Sequence, residues 1–239
     1  MTRRRFIADE VSGDRAALVG EHADHLLRVL RARVGQEFDI AAGETVRRGR
    51  IAVVSEGRVE FDLGEKVSRA NFADITLILA VFKFDRMEWA IEKCTELGIS
   101  RIVPVIARRT DSHLAAASAK RAERWQRIAR QAAEQSRRDA PPEIAVPLKL
   151  AEVLNFSSAL RIVLAESEEQ TLLRDILKEK NAIDGVAAAV GPEGGWTDSE
   201  LQSFQKSGWI SASLGNTILR AETAAIAATA LVVSALHLP

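Results

Sequence analysis

Two glycine-bearing turns set close together late in the chain constrain its fold more than any other stretch. From Gly185 to Ala227 the sequence reads GVAAAVGPEGGWTDSELQSFQKSGWISASLGNTILRAETAAIA. An apolar run, Val186–Val190, meets Gly191-Pro192-Glu193-Gly194-Gly195. A helix start follows at Thr197-Asp198-Ser199-Glu200, which has capping-box spacing with Thr197 as N-cap and Gly208 as the later stop. A second run, Trp209–Leu214, meets Gly215, and Ile218-Leu219-Arg220-Ala221-Glu222-Thr223 leads into an alanine-rich helix. Two strand–turn–helix units in succession put both turns at the same end of one sheet, where open α/β sheets bind ligands.

The first turn has readable chemistry. Gly191, Gly194 and Gly195 admit left-handed backbone and close approach, and Pro192 stiffens the bend. A tight loop that needs glycine for geometry alone is the plain alternative. No phosphate-loop or dinucleotide fingerprint is present, and Glu193 inside the turn would repel a phosphate. A neutral or cationic ligand suits the loop better.

The preceding chain reads as two domains, residues 1–70 and 74–239, joined through the polar stretch Glu65–Asp74. In the first, short runs at Phe38–Ala41, Arg50–Val54 and Val59–Leu63 are punctuated by glycines at a spacing suited to a small β-barrel. One helix interrupts them, Gly20 to Arg31, with Ala23, Leu26, Leu27 and Leu30 inward and Arg28 and Arg31 outward. Strands then alternate with helices: Ile75–Val81 and Arg86–Leu97, Ile102–Ile106 and a long helix from Ser118 to Arg138, Arg161–Ala165 and Glu168–Lys180. Apolar strands without alternation, each followed by a helix, imply an α/β fold with a parallel sheet covered on both faces. On the long helix Trp125, Ile128, Ala129 and Ala132 form one stripe, which makes Trp125 a core residue rather than a stacking platform for a base.

Composition narrows the function classes. The 239 residues are 47% hydrophobic and 28% charged, and the net charge is zero, which argues against a non-specific polyanion binder. Basic residues are nevertheless clustered in His25–Arg50 and Ser118–Asp139, the local footprint of nucleic-acid binding or else two solvated helix faces. No apolar stretch is long enough to span a membrane. A single cysteine, Cys94, excludes an internal disulfide and points to a reducing cytoplasm. His22 and His25 sit three apart, but only His113 and His237 exist elsewhere, so no metal site is expected.

Gly191-Pro192-Glu193-Gly194-Gly195, followed by Leu214-Gly215 and Ile218-Leu219-Arg220-Ala221-Glu222-Thr223-Ala224, resembles the paired signature of the RsmE family. These are SPOUT-class enzymes that methylate N3 of a uridine in 16S ribosomal RNA. Lys83 with Asp85-Arg86-Met87-Glu88, Glu92–Gly98, and Trp125 through Ile144 extend the resemblance over nearly the whole chain. Thr217 departs from it, standing where the family usually has an arginine.

The resemblance implies a SPOUT-type parallel sheet with a C-terminal trefoil knot, preceded by a PUA-like RNA-binding β-barrel. It implies S-adenosylmethionine as cofactor, held by Leu164, Ala165, Glu166, Gly191, Pro192, Glu193, Gly194, Leu214, Gly215, Ile218 and Leu219. Uracil N3 must lose its proton before it can attack. Arg220 is the candidate to stabilise the resulting anion, and Glu222 either orients Arg220 or accepts the proton, the helix N-terminus favouring the orienting role. RNA contacts are expected at His25, Arg28, Arg31 and Arg138, and the partner is 16S rRNA in the 30S subunit. The final helix, Glu222 to His237, is apolar almost all round and a short chain has little interior to cover it, so a homodimer is expected. The competing readings are a SPOUT enzyme with another RNA target, a non-catalytic RNA-binding protein of this fold, and a nucleotide-binding dehydrogenase or other methyltransferase. The last is disfavoured because no glycine fingerprint follows Ile75–Val81.

Overall fold

The computed structural model of the chain describes residues 4–43, 45–67, 74–179 and 185–236. Residues 1–71 with 133–141 form one compact unit, and residues 72–132 with 142–239 form another.

The first unit contains β1 (Arg5–Ile7), β2 (Glu10–Ser12), β3 (Arg15–Val19), a helical turn α1 (Glu21–Asp24), β4 (Glu37–Ala42), β5 (Thr45–Ser55) and β6 (Arg58–Val67). Its described strands make one six-stranded sheet in the order β1-β4-β5-β6-β3-β2, antiparallel except where β1 lies beside β4. The step from β1 to β2 stitches the two ends of that sheet together. The Ala8 N–H donates to the Ala41 carbonyl on β4, and the Asp9 N–H donates to the Ala17 carbonyl on β3. Register shifts between Arg47 and Gly49 and between Ile51 and Val53 bend the long β5–β6 pair. Gly49 packs so closely on Ile40 that no Cβ would fit there. The outcome is a curled, barrel-like sheet around Phe6, Leu18, Ile40, Ile51 and Phe61. The helix expected from Gly20 to Arg31 takes a different form. After α1 the chain widens into a π-helical turn, His25–Val29, in which the Leu30 N–H donates to the His25 carbonyl at 3.3 Å. Ala23 and Leu26 still face inward.

The second unit contains β7 (Ile75–Ala80), α2 (Phe84–Leu97), β8 (Arg101–Ile106), α3 (Ser112–Ser118), α4 (Ala122–Gln135) up to Ala132, β9 (Glu143–Ile144), β10 (Leu148–Lys149) and α5 (Leu150–Val153). These are followed by β11 (Leu160–Leu164), α6 (Leu173–Glu179), β12 (Val186–Val190), α7 (Asp198–Lys206), β13 (Ile210–Ala212) and α8 (Ala221–Leu236). The sheet order is β10-β8-β7-β12-β11-β13, with β9 also on β8, and all pairings among the described residues are parallel. Both faces are covered, which is why these strands show continuous apolar runs. On β7, Leu77 and Leu79 pack with Met87, Ile91, Trp125 and Ala225, while Ile78 and Ala80 pack with Trp196, Phe204 and Trp209 on the other side.

Two further expectations need adjustment. The helix read over Ser118–Arg138 is α4 alone, entered through a 3₁₀ turn at Ala119–Arg121 after the separate helix α3. Asp111 starts α3 by accepting the N–H groups of His113 and Leu114. The helix read over Glu168–Lys180 begins only at Leu173, because the Glu168 carboxylate accepts the N–H groups of Gln170 and Thr171 and holds a turn instead. Lys180, His237 and most of the stretch read as a linker, 68–73, lie outside the described residues.

Trp125 is wholly buried and meets Phe84 edge-on at 6.1 Å. Cys94 on α2 lies 3.4 Å from the Thr229 hydroxyl on α8, and complete burial pushes its thiol up to about 12. Replacing a packed indole leaves a cavity that neighbours fill only in part, so Trp125→Ala is expected to cost about 3–5 kcal/mol. Urea unfolding reads this as a lowered midpoint at unchanged slope. A loss below about 1 kcal/mol would show that the indole is not a core residue.

Candidate active site

Three neighbouring parallel strands, β12, β11 and β13, end side by side, and the loops that leave them enclose a cavity of about 590 Å³. That size falls in the range of small-molecule sites. From β11 the wall is Leu164, Ala165 and Glu166. The turn after β12 contributes Gly191, Pro192, Glu193 and Gly194, and the segment after β13 contributes Leu214, Gly215, Ile218 and Leu219. All eleven residues proposed as cofactor contacts therefore line one cavity. Thr217 lines it as well.

The glycines of the first turn serve different needs. Only Gly195 adopts a left-handed conformation, with φ of 68°, and its N–H donates to the Pro192 carbonyl at 2.8 Å to close the turn. Gly191 is there for space, since a Cβ would lie 3.2 Å from the Trp196 ring nitrogen and 3.3 Å from the Trp196 backbone nitrogen. At Gly194 a Cβ would come within 3.3 Å of the Arg109 Cδ. The capping box read at Thr197 is present: the Thr197 hydroxyl accepts the Glu200 N–H at 3.3 Å and the Glu200 carboxylate accepts the Thr197 N–H at 2.8 Å. Phe204 then meets both Trp196 and Trp209 edge to face, with ring centroids 5.1 Å apart in each contact, and this row packs behind the turn.

Two arginines that sequence reading did not assign to the site grip the same turn. The Arg109 guanidinium donates to the Gly194 carbonyl at 2.6 Å and to the Trp196 carbonyl at 3.3 Å. Arg86, in the first turn of α2, donates to the Glu193 carboxylate at 3.0 Å. Arg86 falls in a stretch that carries the resemblance, but the partners of both lie far away in sequence, so nothing local ties either to this turn. The lining is acidic overall: Glu166, Glu168, Glu169, Glu193 and Asp198 stand against Arg109, the one cationic side chain among the described lining residues. Such a wall favours a positively charged ligand and disfavours a phosphate.

Residues 69–233 match the family model of the RNA methyltransferase domain. A ribosomal RNA small subunit methyltransferase E from Synechocystis is 36% identical over 212 residues, which cover 86% of this chain and 68% of that protein. The protein of the same name from Rickettsia conorii is 32% identical over 90% of this chain and 88% of its own length. The chain belongs to the ribosomal RNA small subunit methyltransferase E family. The crystal structure of a ribosomal RNA small subunit methyltransferase E from Neisseria gonorrhoeae bound to S-adenosyl methionine shares its fold, with a TM-score of 0.84 at 30% identity over 96% of each chain.

In this family member the residues singled out for chemistry lie just off the cavity. Ala221 lines it, whereas its neighbours Arg220 and Glu222 do not. Arg220 is exposed. Glu222 is 3% exposed, and its ion partner is Arg86, 3.7 Å away. In the first unit His25, Arg28 and Arg31 are all exposed; Arg28 lies 3.6 Å from Asp24 and Arg31 takes a left-handed φ of 52°. Arg138 differs, being 4% exposed, and burial brings its guanidinium down to about 10 with Asp139 opposing the shift. No group of three or more His, Cys, Asp or Glu is placed to hold a metal ion, and no helix is long and apolar enough to cross a membrane, among the described residues.

Glu168 offers a pH test of the cavity wall. The Thr171 N–H, and after it the Gln170 N–H, hold its carboxyl below the usual carboxylate range. A carboxyl lowered on folding contributes stability above its unfolded pKa and loses it as pH falls through the folded value. The stability gap between the native protein and Glu168→Gln should therefore be constant near neutrality and shrink below pH about 4. A gap that stays constant down to full protonation of the carboxyl would refute the assignment.

Proposed function

We propose that this protein, an S-adenosylmethionine-dependent methyltransferase of small-subunit ribosomal RNA, modifies N3 of a uridine in 16S rRNA carried by the 30S subunit. The observation that carries the reading is the cavity at the ends of β11, β12 and β13, lined by every residue read as a cofactor contact and bordered by acidic side chains. The turn after β12 and the segment after β13 would hold the adenosine between backbone groups and the side chains of Leu164, Leu214 and Leu219. Gly191 and Gly194, where a Cβ would crowd Trp196 or Arg109 at 3.2–3.3 Å, keep the wall open. S-adenosylmethionine supplies a methyl group on a cationic sulfonium, which the carboxylates around the cavity favour.

The chain's own part is to prepare the base. Uracil N3 becomes nucleophilic once its proton has left, and the charge then spreads onto O2 and O4. Arg220, adjacent to the lining residues Leu219 and Ala221, would stabilise that charge. Glu222 is buried away from the lining and pairs with Arg86, which suits a positioning role better than proton acceptance. His25, Arg28 and Arg31 would grip RNA phosphates from a PUA-like first unit, while Arg138 supports that unit from within. On α8 the buried stripe is Ala225, Ala228, Thr229 and Val232, and Leu231 on another face is 38% exposed. A homodimer built on this helix would cover that face. The same reading gives the segments after β12 and β13 the trefoil knot of SPOUT enzymes, and a cytoplasmic location follows from the ribosomal substrate.

Calorimetry should detect S-adenosylmethionine binding that Gly194→Val abolishes. Ribosomal subunits from a strain lacking the modification should gain one methyl group on small-subunit RNA. Mapping that methyl to another atom than uridine N3, or to the large subunit, would overturn the reading. Arg220→Ala should lower kcat about 10²-fold with cofactor affinity unchanged; near-normal turnover would remove Arg220 from the chemistry.

A further inference from the structure

Glu222 is buried in a way that a positioning role for Arg220 does not account for. It occupies the second position of α8, is 3% exposed, and has one carboxylate oxygen, Oε2, buried with no hydrogen-bond partner among the described residues. Its other oxygen lies 3.7 Å from the Arg86 Nε. Burying a carboxylate without full compensation is costly, so the arrangement needs the guanidinium beside it. The same guanidinium reaches out through Nη1 to Glu193 at 3.0 Å. Arg86 is thus forked between two acids of unlike surroundings, one sealed beneath the start of α8 and one on the wall of the cavity. Glu193 belongs to the turn after β12, and Glu222 follows directly on the segment after β13, so the fork ties together the two loops that face each other across the site.

We propose that Arg86 is a positioning residue for the reaction, a strap that holds the turn Gly191–Gly195 and the entry to α8 in the spacing the cofactor needs. The proposal rests on the methyltransferase reading. Arg86 does not line the cavity and acts through Glu193. Buried Glu222 keeps it in place, because a guanidinium that swung away would abandon an enclosed carboxylate. Arg109 holds the same turn from the other side by its carbonyls, so without Arg86 the turn is gripped at one edge only. A lysine could neutralise one acid but has no planar fork with which to span both.

Two properties separate a strap from a plain structural ion pair: stability answers to Glu222, and cofactor affinity answers to Glu193. Thermal unfolding and S-adenosylmethionine calorimetry on the full-length protein, Arg86→Ala, Arg86→Lys and the double variant Arg86→Ala with Glu222→Gln read both. Arg86→Ala should lower Tm and weaken cofactor binding by about tenfold or more. Arg86→Lys should hold Tm near the native value, weaken binding to an intermediate degree, and keep the proposal open to test if Arg86→Ala does not fold. The double variant should regain Tm, since the buried charge is gone, yet still bind weakly, since the turn remains loose. Recovery of affinity together with Tm in the double variant, or native affinity in Arg86→Lys and Arg86→Ala alike, would overturn the strap. Failure of the native protein itself to bind S-adenosylmethionine would instead sink the methyltransferase reading.

Discussion

A parallel sheet sealed on both faces leaves chemistry nowhere to go but the ends of its strands. Here β7 and its neighbours bury residues alternately into two cores, Leu77 and Leu79 into one, Ile78 and Ala80 into the other. Neither face can open a pocket without emptying a core. The C-terminal ends of β11, β12 and β13 are free of that demand, and the loops leaving them carry the glycines, the acids and the exposed Ile218, 84% accessible at the rim. The location of the site is a consequence of how the sheet is covered.

Loops at strand ends lack the hydrogen-bonded regularity of the sheet, so their shape has to be imposed from outside. Three kinds of contact do this at the turn after β12. Trp196 stacks into an aromatic row that ends on Trp209, whose indole N–H donates to the Leu154 carbonyl at 2.8 Å. Arg109 binds the turn's carbonyls and Arg86 its one carboxylate. The turn is therefore pre-shaped before any ligand arrives, which spares binding the cost of ordering it.

Much of this was legible in the residues, and what was not has a physical reason. Apolar runs broken by glycine located β12 and β13, and the capping box at Thr197 marked the start of α7 to the residue, because these signals are local. The eleven cavity residues followed from the resemblance and from their position at strand ends. Arg86, quoted only as part of the resembling stretch Lys83–Glu88, and Arg109 were given no role, because an arginine in a helix or loop looks the same whether it faces water or grips a turn many residues away. The π-helical turn at His25–Val29 was hidden for a similar reason: the apolar periodicity that predicts a helix there is kept, while the extra residue in the turn leaves no mark of its own. The strands β1 and β3 are short and pair with distant partners, β4 and β6, so their register was set by tertiary contacts rather than by pattern, and β2 is a three-residue edge strand held by its hairpin to β3. At the helix before β12, one acidic side chain folding back on its own backbone, Glu168, outweighed helical propensity over the residues up to Leu173.

Cys94 gives the molecule a feature of another kind. It is the chain's single thiol, enclosed between α2 and α8, and protonated across the whole physiological range. Oxidants and alkylating reagents act on thiolates, so they meet an unreactive group as long as those helices stay together. Each encounter that does modify it records a moment when α2 and α8 have parted. The protein thus carries its own clock for the opening of the helix pair that Arg86 and Glu222 help to join, readable one molecule at a time by the mass it gains.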